Sequence, residues 1–131
     1  MNYLARPRLY MSINQYEFYC SACSDCLSNE DKITLKTVRH NGDIGEIYLN
    51  VSIGDYTYTH LPPIEFPDGE LVNFHCPSCD DLMQSEQYEK FASIIMRVDD
   101  KIEFELLFSR EAGRRKTYII TEDGIESYSR K

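Results

Sequence analysis

Phe18-Tyr19-Cys20-Ser21-Ala22-Cys23-Ser24-Asp25-Cys26-Leu27 and Phe74-His75-Cys76-Pro77-Ser78-Cys79-Asp80-Asp81-Leu82-Met83 are two copies of one short pattern. Laid over each other they agree in an aromatic residue, a Cys-x-x-Cys spacing, a small or polar residue, an Asp and then apolar residues. Two thiolates three positions apart on a tight turn can hold one face of a tetrahedral metal ion, and a second such turn supplies the opposite face.

The first cluster offers two overlapping pairs, Cys20 with Cys23 or Cys23 with Cys26, and composition does not choose between them. The repeat does. Superposition pairs Cys20 with Cys76 and Cys23 with Cys79, and leaves Cys26 opposite Leu82. A free cysteine commonly behaves as a small buried hydrophobe, so Cys26 is expected to fill an apolar slot as a spare thiol. The expected ligands are Cys20, Cys23, Cys76 and Cys79, with a set that uses Cys26 as the alternative.

Zinc suits four thiolates in a tetrahedron, and a site so saturated is structural because no position stays open for water. Iron held as in rubredoxin is the alternative, since that family also pairs Cys-x-x-Cys with Cys-Pro-x-Cys. Ser24 and Asp80, however, stand where rubredoxin knuckles have glycine, and the long segment 24–75 separates Cys23 from Cys76. His75 is expected to point away from the metal if the incoming segment is extended, and Tyr19 holds the matching place. His40 and His60 fall in turn regions and are expected in solvent.

A chain of 131 residues has room for one domain, and a domain near this size buries about two thirds of its unfolded surface. A net charge of −8 argues against nucleic acid as partner, because such affinity rests on neutralising phosphates. All five cysteines lie in the two clusters rather than in a disulfide framework, which points to a reducing compartment. No leader pattern and no apolar window near the ~20 residues of a membrane span can be read, so a cytoplasmic protein is expected.

Residues 1–16 show no period and read as an N-terminal arm. Ile33 to Arg39 reads as a strand, Asn41-Gly42 as a hairpin turn, and Ile47, Leu49, Val51 and Ile53 alternate with polar or aromatic neighbours as one face of a second strand. Tyr56 to Thr59 is rich in strand formers, and Leu61-Pro62-Pro63 stops it. Leu71 to Phe74 runs as a strand into the second knuckle. The one helix candidate is a turn or two over 84–91, capped by Ser85. Ser93 to Val98 with Ile102 to Ser109, and Thr117 to Thr121 with Ile125 to Tyr128, read as two hairpins.

Two further features point to partners. Arg110, Arg114, Arg115 and Lys116 concentrate positive charge on an acidic chain, and read either as a contact for an anionic partner or as a solvated loop. Tyr48, Tyr56 and Tyr58 read either as a shared sheet face for protein binding or as core.

The run Gly45-Glu46-Ile47-Tyr48-Leu49, then Gly54-Asp55-Tyr56, then Ile64 to Cys79 resembles a group of small uncharacterised bacterial and archaeal zinc-ribbon proteins, over Cys20 to Cys79. In that group the first knuckle is similar to Cys20-x-x-Cys23 followed by Leu27, which agrees with the ligand choice above. The group carries a later Ser-Arg-Arg-Gly-Cys motif, for which Ser109 to Arg114 would be a cysteine-free counterpart. The resemblance implies a zinc-ribbon fold and no reaction.

The expectation is thus a single mostly-β domain over 1–131, a zinc ribbon with a long insertion between its knuckles, β-hairpins and at most one short helix. Its parts are the arm 1–16, a knuckle part 17–83 and C-terminal hairpins 84–131. Its expected role is that of a non-catalytic accessory subunit that binds another protein, held together by Zn2+. A rubredoxin-like redox or metal-handling protein, and a nucleic-acid-binding ribbon using the basic loop, are the alternatives.

Overall fold

The computed structural model describes residues 16–100 and 102–129, so the expected arm lies outside the described residues except for Tyr16. It contains ten strands: β1 (Glu17–Tyr19), β2 (Ser28–Asn29), β3 (Lys32–Val38), β4 (Ile44–Asn50), β5 (Tyr58–Leu61), β6 (Asn73–His75), β7 (Phe91–Asp99), β8 (Ile102–Ser109), β9 (Lys116–Thr121) and β10 (Gly124–Ser129). They build two antiparallel sheets, one ordered β1-β7-β8-β9-β10, the other β2-β3-β4-β5 with β6 also paired to β3. No helix among the described residues is long and apolar enough to cross a membrane.

Alternation of side chains explains the layering. In β3 every second residue, Ile33, Leu35 and Thr37, is buried, and in β7 the same holds for Ala92, Ile94 and Met96. The inward faces of both sheets meet in a single apolar cluster that also takes in Phe18, Phe74, Ile47, Leu106 and Ile119. Phe74 and Phe108 pack edge to face across it, with ring centres 5.3 Å apart.

The two sheets are two copies of one unit. Ile47 pairs with Leu35 and with His60, and Leu106 pairs in the same way with Ile94 and with Ile119. Residues 31–38 and 44–61 match 90–97 and 103–120 position for position, the hairpin turns between them differing by a register shift after Arg97. The match extends to the loop bonds: Val51 N–H to Asp31 O and Arg110 N–H to Lys90 O, then Asp55 N–H to Ser52 O and Arg114 N–H to Glu111 O. The leading strands are exchanged. β1, from the first copy, pairs with β7 of the second, while β6 pairs with β3 of the first, and Phe18 opposite Met96 corresponds to Phe74 opposite Thr37. Neither copy completes its sheet without the other. What reads in sequence as a long insertion between knuckles is therefore the rest of the first copy plus the linker 62–72.

Gly54 and Gly113 occupy the same place in the two copies, both in the left-handed region, at φ 92° and 85°. A Cβ added at Gly54 would meet nothing within 4 Å, whereas one at Gly113 would lie 2.5 Å from Asp68 Oδ1. Gly54→Ala is expected to cost about 1–2 kcal/mol, the left-handed penalty alone, and Gly113→Ala measurably more. Thermal unfolding of the pair checks this; equal losses would contradict the close approach of Asp68.

The linker is anchored by Arg39, whose Nε and Nη2 donate to the two Glu70 carboxylate oxygens at 2.8 and 2.7 Å. These bonds hold the Glu70 carboxyl below the usual carboxylate range. Arg39 also lies over the Phe66 ring, 5.5 Å from its centre.

Four expectations need correction. Residues 84–91 form no helix: Ser85 Oγ does accept the Gln87 and Tyr88 N–H groups as a cap would, but Ser85 N–H bonds to Phe91 O and closes the segment into a loop. A short helix has few bonds to offset its costly first turn, and here the ends are already tied to Met83 and β7. Second, the strand expected at Tyr56 starts at Tyr58, and the three tyrosines share no face. Tyr48 points away from the core beside inward Ile47, Tyr58 lies opposite Leu49 on the inner face, and Tyr56 donates to Tyr128 O from outside the sheet. Third, His60 is buried at 8% exposure because β5 sets it opposite Ile47, where it bonds Thr37 Oγ1 at 2.7 Å and Pro62 O at 2.7 Å. His40, by contrast, is exposed as expected. The fourth concerns Cys26 and belongs with the cysteines.

Candidate metal centre

Each knuckle begins where an exchanged strand ends. In the first, Cys20 N–H donates to Asp25 O (3.0 Å), Ser24 N–H to Cys20 O (2.9 Å) and Leu27 N–H to Phe18 O (2.7 Å). In the second, Cys76 N–H donates to Asp81 O (3.0 Å), Asp80 N–H to Cys76 O (2.9 Å) and Met83 N–H to Phe74 O (2.8 Å). Ser24 and Asp80 both take the left-handed conformation, at φ 66° and 64°. These are the positions that rubredoxin gives to glycine; a short polar residue bears the conformation here, as Ser and Asp can in a tight turn. Ala22 N–H and Ser78 N–H point at Cys20 Sγ and Cys76 Sγ, at 3.3 and 3.4 Å.

The four sulfurs of Cys20, Cys23, Cys76 and Cys79 all lie within 4.8 Å of one another. Cys20 is 3.8 Å from Cys79 and Cys23 is 3.7 Å from Cys76, two distances related by the repeat. A disulfide would need about 2.05 Å. A tetrahedron with metal–sulfur bonds of about 2.3 Å has sulfur–sulfur edges of about 3.8 Å, so the donor set fits a tetrahedral thiolate-loving ion such as zinc. Cys20 and Cys76 are buried while Cys23 and Cys79 face outward.

Without a cation these thiols cannot all ionise together. Burial opposes the Cys76 thiolate, yet amide hydrogen bonds from Cys79 and Ser78 and the Cys20 and Cys23 thiols bring its pKa below the ordinary value. At Cys23 a backbone hydrogen bond at Asp25 favours the thiolate, but desolvation and the other three cysteines push the thiol up to about 12. Like charges held this close resist successive deprotonation. A divalent ion removes that resistance, and binding it must release protons.

Nearby polar groups brace the knuckles from outside. His75 Nδ1 lies 2.9 Å from Asp80 O, an acceptor, so that nitrogen carries the proton; His75 is turned from the sulfurs as expected. Lys36 Nζ bonds Asp80 Oδ1 at 2.8 Å and holds that carboxyl below its ordinary range. No spacing in the sequence signals this bond, which joins β3 to the second knuckle across a long stretch of chain.

Cys26 stands opposite Tyr19 as Leu82 stands opposite His75, so the superposition of the two copies is structural as well as sequential. The slot is not buried, however. Cys26 is exposed, with Sγ 3.3 Å from Ser28 O, and Leu82 is 41% exposed, because this position lies on the outward side of the knuckle. Since leucine already occupies the equivalent place, Cys26→Leu is expected to keep the full metal content on elemental analysis. Loss of metal in that variant would mean that Cys26 is a ligand.

The basic residues separate. Arg110, the counterpart of Val51, is half-buried and donates to Val72 O, Asn73 Oδ1, Gln84 Oε1 and Glu89 O, and burial lowers its pKa. Arg114 and Arg115 stay exposed in the loop before β9, and Lys116 opens that strand. Comparison with protein-family models, with curated proteins and with solved structures finds no match to this chain. The support for the zinc-ribbon resemblance is therefore the cysteine cluster itself.

Proposed function

We propose that the chain is a zinc-ribbon-like protein whose four thiolates hold Zn2+ as a structural ion, and that it serves as a non-catalytic accessory subunit binding another protein. The observation that carries the metal part is the near-tetrahedral spacing of the sulfurs, 3.8 and 3.7 Å across the two knuckles. Bound there, the ion would offset half of the charge of four thiolates and tie together the strands that the two copies exchange. With all four protein ligands engaged, no coordination position is left for substrate, which favours a structural over a catalytic role. Elemental analysis of native protein tests the reading: about one equivalent of zinc per chain is expected, and less than about half an equivalent, with all thiols reactive in folded protein, would sink it.

A second reading has one observation in its favour. The N–H groups aimed at Cys20 Sγ and Cys76 Sγ would also tune an iron centre of the rubredoxin type. A coloured, reducible protein containing iron in place of zinc would establish that alternative.

A further inference from the structure

The two copies differ at one edge. β9 is flanked by β8 on one side and by β10 on the other, paired from Thr121 with Gly124 to Lys116 with Ser129. Its counterpart β5 pairs with β4 and ends its sheet. The cause is local: after Thr121 the chain turns through Glu122 and Asp123 into β10, whereas after Leu61 two prolines, Pro62 and Pro63, lead it away. Phe66 then passes beneath the sheet, its ring against His60 and its N–H bonded to Tyr58 Oη. Among the described residues the backbone of β5 bonds to no backbone other than that of β4.

The side chains record the same difference. Ile120 lies opposite Ile125 of β10 and is half-buried, while its counterpart Leu61 is 58% exposed, with Ile44 of the neighbouring strand at 62%. In a strand, alternate residues turn their N–H and C=O groups outward, so β5 offers a template for another strand. Its shortness and the prolines beyond it keep that template from growing into indiscriminate pairing.

We propose that the outer edge of β5 binds an extended segment of a partner protein, in the place beside β5 that β10 takes beside β9. The segment runs antiparallel to β5, bonds it through the backbone, and sets an aliphatic side chain against Leu61 as Ile125 is set against Ile120. Its polar positions carry Lys or Arg, because Glu46 lies across from Leu61 on the same face and the chain is strongly acidic. The proposal rests on the reading of this chain as a protein-binding subunit and supplies its contact.

The intramolecular precedent gives the probe: a synthetic peptide with the sequence of residues 122–131, which contains β10, carrying E122K, D123K and E126K so that its polar positions are basic. Titrated into the isotope-labelled, metal-loaded full chain, it is expected to shift the amide signals of Tyr58 to Leu61 saturably. Leu61→Lys should weaken that response about tenfold, which is about 1.4 kcal/mol. Shifts confined to β9 and β10, no shifts up to about 1 mM peptide, or pairing of β5 with a second copy of the chain on sedimentation would each overturn the proposal. Metal is measured in the same sample. One equivalent of zinc without a response at β5 sinks the edge site alone, and a response at β5 in protein that never held metal sinks the structural-zinc reading alone.

Discussion

Cys76→Ser protein will purify with little bound metal and unfold at a markedly lower urea concentration than the parent. Cys76 is fully buried, accepts the Ser78 N–H at its sulfur and lies 3.7 Å from Cys23 Sγ, so a hydroxyl in its place removes one thiolate from the least forgiving corner of the tetrahedron. An ion bound only by the folded state stabilises it by about 4 kcal/mol at a free concentration a thousandfold above the dissociation constant. That share is lost when affinity collapses, against a usual total of about 5–15 kcal/mol. The chain has an apolar core besides the metal, so a weakened but cooperative transition is expected rather than a fully unfolded chain. Acid should reproduce the effect in the parent: protons compete for thiolates, so metal is retained at neutral pH and released as pH falls, never the reverse. A Cys76→Ser protein that keeps one equivalent of metal would refute the ligand assignment.

Phe18→Ala is expected to destabilise by about 3–5 kcal/mol while leaving metal content near one equivalent in whatever fraction is folded. Phe18 is 1% exposed and comes from β1, the strand that the first copy lends to the sheet of the second. Truncating it opens a cavity between the sheets where both copies meet, and the exchanged strand, three residues long, has little else to hold it. Urea unfolding with elemental analysis at each step separates this loss from that of Cys76→Ser. A loss below about 1 kcal/mol would mean that the two sheets do not share one core.

The sequence disclosed the strands well wherever one face is wet and the other dry. Ile102 to Ser109 was legible to the residue, and the hairpin after Thr117 nearly so, because period-two alternation is a local property. The helix over 84–91 was a false reading for the converse reason: Ser85 and the glutamates satisfy local rules, but Phe91 is claimed by β7. His60 was misplaced because a return strand ending at two prolines gives no sign of which of its faces is inward.

The cysteine spacing by itself determined which thiols come together, since two turns of identical length and pattern place equivalent atoms equivalently. That the likeness runs on through the hairpins and the third strand only the tertiary structure decided. Between residues 31–61 and 90–120 only Glu46 with Glu105 and Gly54 with Gly113 are identical. A sheet asks of most positions merely that they be inward and apolar or outward and polar, so Thr37 and His60 can stand where Met96 and Ile119 do without altering the pairing. A knuckle asks for sulfur at fixed points and a left-handed residue after them. The four-cysteine cluster was therefore written in residue identities, while the doubled fold around it was written in backbone hydrogen bonds that no single residue specifies.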